Sequence, residues 1–206
     1  MNNEHSIFTV GHSTHMLEQF IDLLQKHAVT AVADVRSVPY SRWQPQFNQS
    51  PLKQGLVPHR ISYVFLGEEL GARSNDTSCY VDGRVQYRRL AETATFRSGI
   101  ERLRLGSKRE RIAVVCAEAE PIECHRMVLV ARELEAIGIR VMHILPTGEL
   151  ESHPDAQRRL MQTLKVPERD MFRSPEELID LAYAKQEARI AFVDQKLMTD
   201  RSGAAR

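Results

Sequence analysis

Between Cys116 and Arg126 the chain gathers two thiols, a carboxylate, an imidazole and a guanidinium: Cys116, Glu118, Cys124, His125 and Arg126. Cys124 stands where an amphipathic helix should begin. There the helix macrodipole, His125 and Arg126 would all favour thiolate. Glu118, Glu120 and Glu123 push the other way, because nearby carboxylates disfavour a second negative charge. Cys124 or Cys116 is thus a candidate nucleophile, with His125 and Glu118 as candidate proton carriers. The same helix start, with Arg126, suits a phosphate or carboxylate, the cysteine then being only a neighbour. Both thiols also read naturally as packing residues, Cys116 especially, since it ends the apolar run Ile112 to Val115.

A metal is the third chemistry these residue types allow. The spacing Cys116-x7-Cys124 is not the short pair of a zinc knuckle. Adjacent Cys124 and His125 rarely both reach one ion without an unusual turn. Cys116, Cys124 and a His12 arriving from another strand would make the ligand set, with zinc or iron the best match. The leading assignment carries no metal.

Further polar residues close the other apolar runs. His12 and Ser13 follow Ile7 to Val10, and Asp34 and Arg36 end Val29 to Val35. Asp34 and Arg36, two apart, should share a face, either as an ion pair or as a proton acceptor beside an anion clamp. His12 is a candidate acid or base. The loop from Pro39 to Arg60 holds four prolines and mixes Arg42, Trp43, Phe47 and Asn48, so it reads as a structured loop with a short helix near Pro51. It is either a lid packed by its aromatics or a surface that stacks a base. Arg36 and Arg126, with Ser13, Arg42 and Asn48, are the expected anion contacts.

The elements that must position these groups alternate. Ile7 to Val10, Val29 to Val35, Ile61 to Leu66, Arg111 to Val115 and Ile139 to Leu145 read as strands. Helical spacing falls between them, as in Leu17, Phe20, Ile21 and Leu24, or Met127, Val130, Ala131 and Leu134. A helix from Tyr87 to Leu105 should break near Thr93. Alternation of this kind predicts an α/β fold, an open, mostly parallel five-stranded sheet with helices on both faces, plus C-terminal helices. In such sheets ligands bind at the carboxyl ends of the strands. The polar strand ends are therefore expected to converge on one composite site. Ser152 and Ser174-Pro175 look like helix caps. The last helix should run to about Leu197, with a frayed tail from Thr199.

Composition narrows the classes. With 206 residues, 42% hydrophobic and 27% charged, the chain suits one soluble domain with an appendage: residues 1–165 and a helical extension, 166–206. A formal net charge of +1 gives no field for duplex DNA or an anionic membrane, so any anion site must be local. No run approaches the roughly 20 apolar residues of a membrane span. Three cysteines without scaffold spacing, and no signal-peptide core at the amino terminus, point to a reduced, cytoplasmic protein.

The phrases Thr9-Val10-Gly11-His12-Ser13-Thr14, Asp34-Val35-Arg36-Ser37, Pro45-Gln46-Phe47-Asn48 and Leu66-Gly67-Glu68-Glu69-Leu70-Gly71, then Cys116-Ala117-Glu118, Cys124-His125-Arg126 and Val141-Met142-His143-Ile144, resemble the DUF488 family. The resemblance runs from residue 7 to about 165. It implies a compact α/β domain with a site containing cysteine, histidine and arginine, and it supplies no reaction. Arg132 departs from it, standing where an acidic residue is expected.

Together these features point to an enzyme acting on a small anionic or nucleotide-like substrate through Cys124, Cys116, His125, His12, Asp34 and Glu118. The alternatives are a non-catalytic nucleotide or nucleic-acid binding module, and a zinc or iron protein. No cofactor is assigned, no membrane contact is expected, and a homo-oligomer would form through the C-terminal helix.

Overall fold

The computed structural model describes residues 6–198, so the tail expected to fray from Thr199 lies outside the described residues. The chain opens with β1 (Ile7–Gly11), α1 (Leu17–Lys26), β2 (Ala31–Asp34), α2 (Gln49–Leu56), β3 (Ser62–Phe65) and the short α3 (Gly67–Leu70). A small antiparallel hairpin, β4 (Tyr80–Val81) and β5 (Arg84–Val85), precedes α4 (Tyr87–Glu92) and α5 (Ala94–Gly106). Then come β6 (Ile112–Cys116), α6 (Arg132–Ala136), β7 (Val141–Ile144), β8 (Leu150–Ser152), α7 (His153–Thr163) and α8 (Pro175–Ile190).

The main sheet has the order β3-β2-β6-β1-β7-β8. The five expected strands pair in parallel, and β8 adds an antiparallel edge that sequence periodicity did not announce. Every residue of β1, β2 and β6 is buried, as strands covered on both faces must be. Alternation divides the core. Ala113, Val115, Val32 and Phe8 pack with Phe20 and Ile21 of α1 and with Leu52 and Leu56 of α2. Ile112, Val114, Cys116, Ala33 and Val35 pack with α5, α6, α7 and α8 on the other face.

Local signals account for the helix ends. The Thr93 side chain accepts from Phe96 N and separates α4 from α5, where the break was expected. Ser174 forms a full capping box with Glu177 ahead of α8, and Ser152 caps α7. The last helix stops at Ile190 instead of continuing to Leu197. There the backbone turns extended at Ala191 and bridges from Val193 to Arg84 beside the hairpin. Leu178, Ala182, Tyr183 and Gln186 bury α8 against the chain's own core. No helix is long and apolar enough to cross a membrane.

Candidate functional site

Cys116 is the last residue of β6, and alternation turns its side chain toward α6 and α8. The loop that follows is pressed onto β1: a Cβ on Gly11 would collide with the Glu118 carbonyl oxygen, so glycine is needed there. Arg126 holds the loop from the other side. Its Nη1 and Nη2 donate to the carbonyl oxygens of Glu118 (2.6 Å) and Ala119 (2.8 Å). The guanidinium expected to clamp an anion is thus a buried strut, 1% exposed, that shapes the loop.

A turn beginning at Pro121 then delivers two adjacent side chains to one place. Cys124 is extended (φ −134°, ψ 143°), whereas His125 is already helical (φ −60°, ψ −23°). This change of conformation between neighbours is the unusual turn that lets a Cys-His pair converge. The helix continues as a π-helical turn over Arg126–Ala131 before tightening into α6. Single wide turns of this kind often accompany functional sites.

Four donors result. Cys116 Sγ and Cys124 Sγ lie 3.0 and 2.9 Å from the same Glu118 oxygen, Oε2. His125 Nδ1 lies 3.6 Å from Cys116 Sγ and 3.9 Å from Cys124 Sγ. Its Nε2 is 3.2 Å from the Val35 carbonyl, which can only accept, so Nε2 carries a proton and Nδ1 faces the thiols. All four ligand atoms fall within 4.8 Å of one another. Both cysteines and His125 are buried, while Glu118, though an exposed residue, turns Oε2 inward.

The two thiols cannot both ionise so close together. Burial raises Cys124, but the hydrogen bond with Cys116, the charge of Arg126 and His125 outweigh it and hold Cys124 well below the usual thiol range. Cys116 moves up, through its hydrogen bond with Cys124 and its burial. Burial and then the Cys124 charge push the Glu118 carboxyl up. His125 is pushed up as well: burial opposes its imidazolium, and the Cys124 contact overcomes that. Of the three carboxylates expected to oppose the Cys124 thiolate, Glu120 is paired instead with Arg159 at 2.8 Å.

His12, Asp34 and Arg36 form a different constellation. Asp34 is paired in register with Val115, not with Cys116, and so faces α1 and α2. Arg36 donates Nε to Asp34 Oδ1 (2.9 Å), Nη2 to Asp34 Oδ2 (2.6 Å) and to the Phe47 carbonyl (2.8 Å), and Nη1 to His12 Nε2 (3.1 Å). Tyr63 OH adds a bond to Asp34 Oδ2 at 2.8 Å. His12 Nδ1 donates to the Ser13 carbonyl (3.0 Å), and its ring stacks on buried Phe47 at 4.3 Å. Burial and the Arg36 charge lower His12 to about 4, so it is neutral. His12 does not join the four-donor cluster; His125 stands where a third metal ligand was sought.

The remaining expected contacts disperse. Asn48 Oδ1 accepts from Ser41 N (2.6 Å) and staples the loop. Arg42 is exposed, as is Trp43 at 87%, and Ser13 is half-buried at a positive φ of 48°. Of the loop's three aromatics, Tyr40, Trp43 and Phe47, only Phe47 packs inward, meeting Phe20 edge-on at 5.3 Å.

A cavity of about 260 Å³ opens beside the cluster, lined by both cysteines, His125, Arg36 and three residues not anticipated from sequence: Arg73, Tyr87 and Phe192. Nothing in their spacing ties these three to the cysteines. Only the approach of the loop after α3, of α4 and of the segment after α8 brings them in.

No curated protein and no solved structure matches the chain. A family profile described as "Domain of unknown function DUF488" matches residues 16–132. That span holds Cys116, Glu118, Cys124, His125, Asp34 and Arg36, begins after His12, and ends before α7 and α8. Since it covers more than half of the sequence, the chain belongs to the DUF488 family.

Proposed function

We propose that the protein is a metal-dependent enzyme acting on a small anionic molecule, with one zinc- or iron-class ion held by Cys116, Cys124 and His125 and with Glu118 beside it. One observation carries this reading: His125 Nδ1 faces two thiols that share one carboxylate oxygen, while Nε2 is anchored on the Val35 carbonyl. A ligand imidazole oriented by a hydrogen bond from its other nitrogen is the usual arrangement of a metal-binding histidine. Two thiols with an imidazole suit zinc or iron over magnesium or calcium. Such an ion would act as a Lewis acid and lower the pKa of bound water. The chain's own contribution is to fix the donors through Arg126 and Gly11, and to keep Glu118 ready to move a proton at Oε2. The adjoining cavity favours catalysis over a purely structural ion. A cytoplasmic setting, whose reducing poise keeps thiols available, fits as well.

Elemental analysis of the purified chain tests this. About one equivalent of zinc or iron is expected, lost in Cys116→Ser, Cys124→Ser and His125→Ala, and kept in His12→Ala. Metal-free protein that also fails to take up added zinc or cobalt would sink the proposal. A second reading, Cys124 as nucleophile with His125 as its base, is supported by the low-lying Cys124 thiol. It predicts rapid alkylation of Cys124 near neutral pH in protein that binds no metal.

A further inference from the structure

One wall of the cavity comes from beyond the family match. Ile190 and Phe192 line it, both well past residue 132. The segment is firmly held: Val85 N donates to the Phe192 carbonyl at 3.0 Å and Asp194 N to that of Gly83 at 2.7 Å. Glu187 Oε1 accepts from Tyr87 N at 2.8 Å and so ties α8 to another lining residue.

Above the Phe192 ring lies the Arg73 guanidinium, its Cζ 4.4 Å from the ring centroid. The two arginines of the cavity differ sharply. Arg36 is engaged by Asp34, Phe47 and His12. Among the described residues, no carboxylate pairs with Arg73; its exposed side chain lies on the aromatic face, with the Tyr80 phenol also within electrostatic reach. A guanidinium stacked by its face keeps the N–H edge for a ligand, in a fork that matches a carboxylate or phosphate. The aromatic surface limits its rotamers, so less order has to be imposed on binding.

We infer that Arg73, stacked on Phe192, binds the oxyanion group of a small carboxylate or phosphate substrate and presents the rest of it to the thiol cluster. The inference rests on the cluster being the reactive centre. The cavity, at about 260 Å³, is below the roughly 300–1,000 Å³ of drug-sized sites. A compact anion therefore suits it better than a whole nucleotide, and Phe192 sets the length admitted. Arg73, inside the family's matched span, would thus hold the charge, and Phe192, outside it, would set the length.

The test compares alkylation of Cys124 by iodoacetate and by iodoacetamide in the metal-stripped full chain. Both reagents attack the same thiolate, so their rate ratio reports the charge met on entry. Arg73→Gln should lower the iodoacetate to iodoacetamide ratio by about fivefold, and Arg73→Lys should restore most of it. An unchanged ratio in Arg73→Gln overturns the inference. Thermal stabilisation of the zinc-loaded chain by acetate or by inorganic phosphate, at constant ionic strength, then tells carboxylate from phosphate. Zinc content is the separate readout for the cluster: a chain that binds no zinc yet shows the ratio change loses the metal reading and keeps Arg73.

Discussion

Two polar constellations sit at the carboxyl edge of the same sheet, back to back, and they differ in how their valences close. Around Asp34 and Arg36, donors meet acceptors: a carboxylate, a guanidinium, an imidazole, a phenol and a backbone carbonyl satisfy one another in the interior. Around Cys116 and Cys124, two thiols point at one carboxylate oxygen and an imidazole nitrogen closes the group, four potential ligand atoms within 4.8 Å of one another. The first arrangement is complete without a ligand. The second, on the function proposed above, is completed by a cation. Convergence alone therefore does not mark a site; what sets the second group apart is that all four of its atoms are of kinds that ligate one ion.

Single substitutions can separate the two most sharply. Asp34→Ala leaves Arg36 charged and unpaired in the interior, so it should cost about 3–5 kcal/mol in chemical denaturation while zinc binding survives in the folded fraction. Cys124→Ser should do the reverse, lowering zinc affinity by about 100-fold or more with little change in the metal-free chain's stability. If both variants lose stability and metal alike, the distinction fails.

Arg126→Leu comes next in size. Removing it strips the Glu118 and Ala119 carbonyls of their donors, a loss of about 2–3 kcal/mol, and releases the Glu118 loop, weakening zinc binding by about 10-fold. Calorimetric titration with zinc on this variant would sharpen the claim that Arg126 positions the cluster.

Buried imidazoles, one in the closed network and one outside it, should also set part of the pH response. His12 is held down to about 4 from an ordinary 6.5, as is His153, which burial and the Arg132 charge keep neutral. Each histidine takes up a proton more readily once the chain unfolds. Their contribution is full above pH 6.5 and is lost as pH falls from 6.5 toward 4, at about 1.4 kcal/mol per pH unit for each. Denaturation at pH 7 and pH 5 should reveal the slope, and His12→Asn should flatten its share. Trp43→Ala is expected to change stability by less than about 0.5 kcal/mol, since the side chain is 87% exposed.

Much of this was legible in the residues. Cys116, Glu118, Cys124 and His125 announced chemistry by type, and alternating runs announced the parallel sheet. The expected single cleft divides by register: His12 and Asp34 turn away, while Arg36 still lines the cavity beside both cysteines and His125. Asp34 lies opposite Val115 and Gly11 opposite Cys116, and one residue of offset sends side chains to opposite faces. No isolated sequence carries that offset. Arg126 shows a similar limit: its charge was visible, but the carbonyls that take its Nη1 and Nη2 come from a loop whose path Gly11 decides. Arg73 and Phe192 gave no signal, being more than a hundred positions apart and joined only by the strand-like pairing after α8. His143 and His153 entered only through the family resemblance, and nothing in the sequence joined them to each other. In the fold they make a buried chain from Thr9 to Tyr183, with contacts of 2.7, 3.1 and 3.0 Å, fastening α7 and α8 to the sheet.

The wide turn from Arg126 to Ala131 makes residue count itself a variable. An α-helix advances 100° per residue, so deleting one residue there would let the turn tighten to ordinary helix without breaking it. The cost would appear as phase: either the Cys124-His125 pair or buried Leu134 would rotate away from its place. Substitutions within the turn that keep hydrophobic volume should be tolerated far better than any change of its length. In this stretch the chain encodes a phase angle as much as a set of side chains.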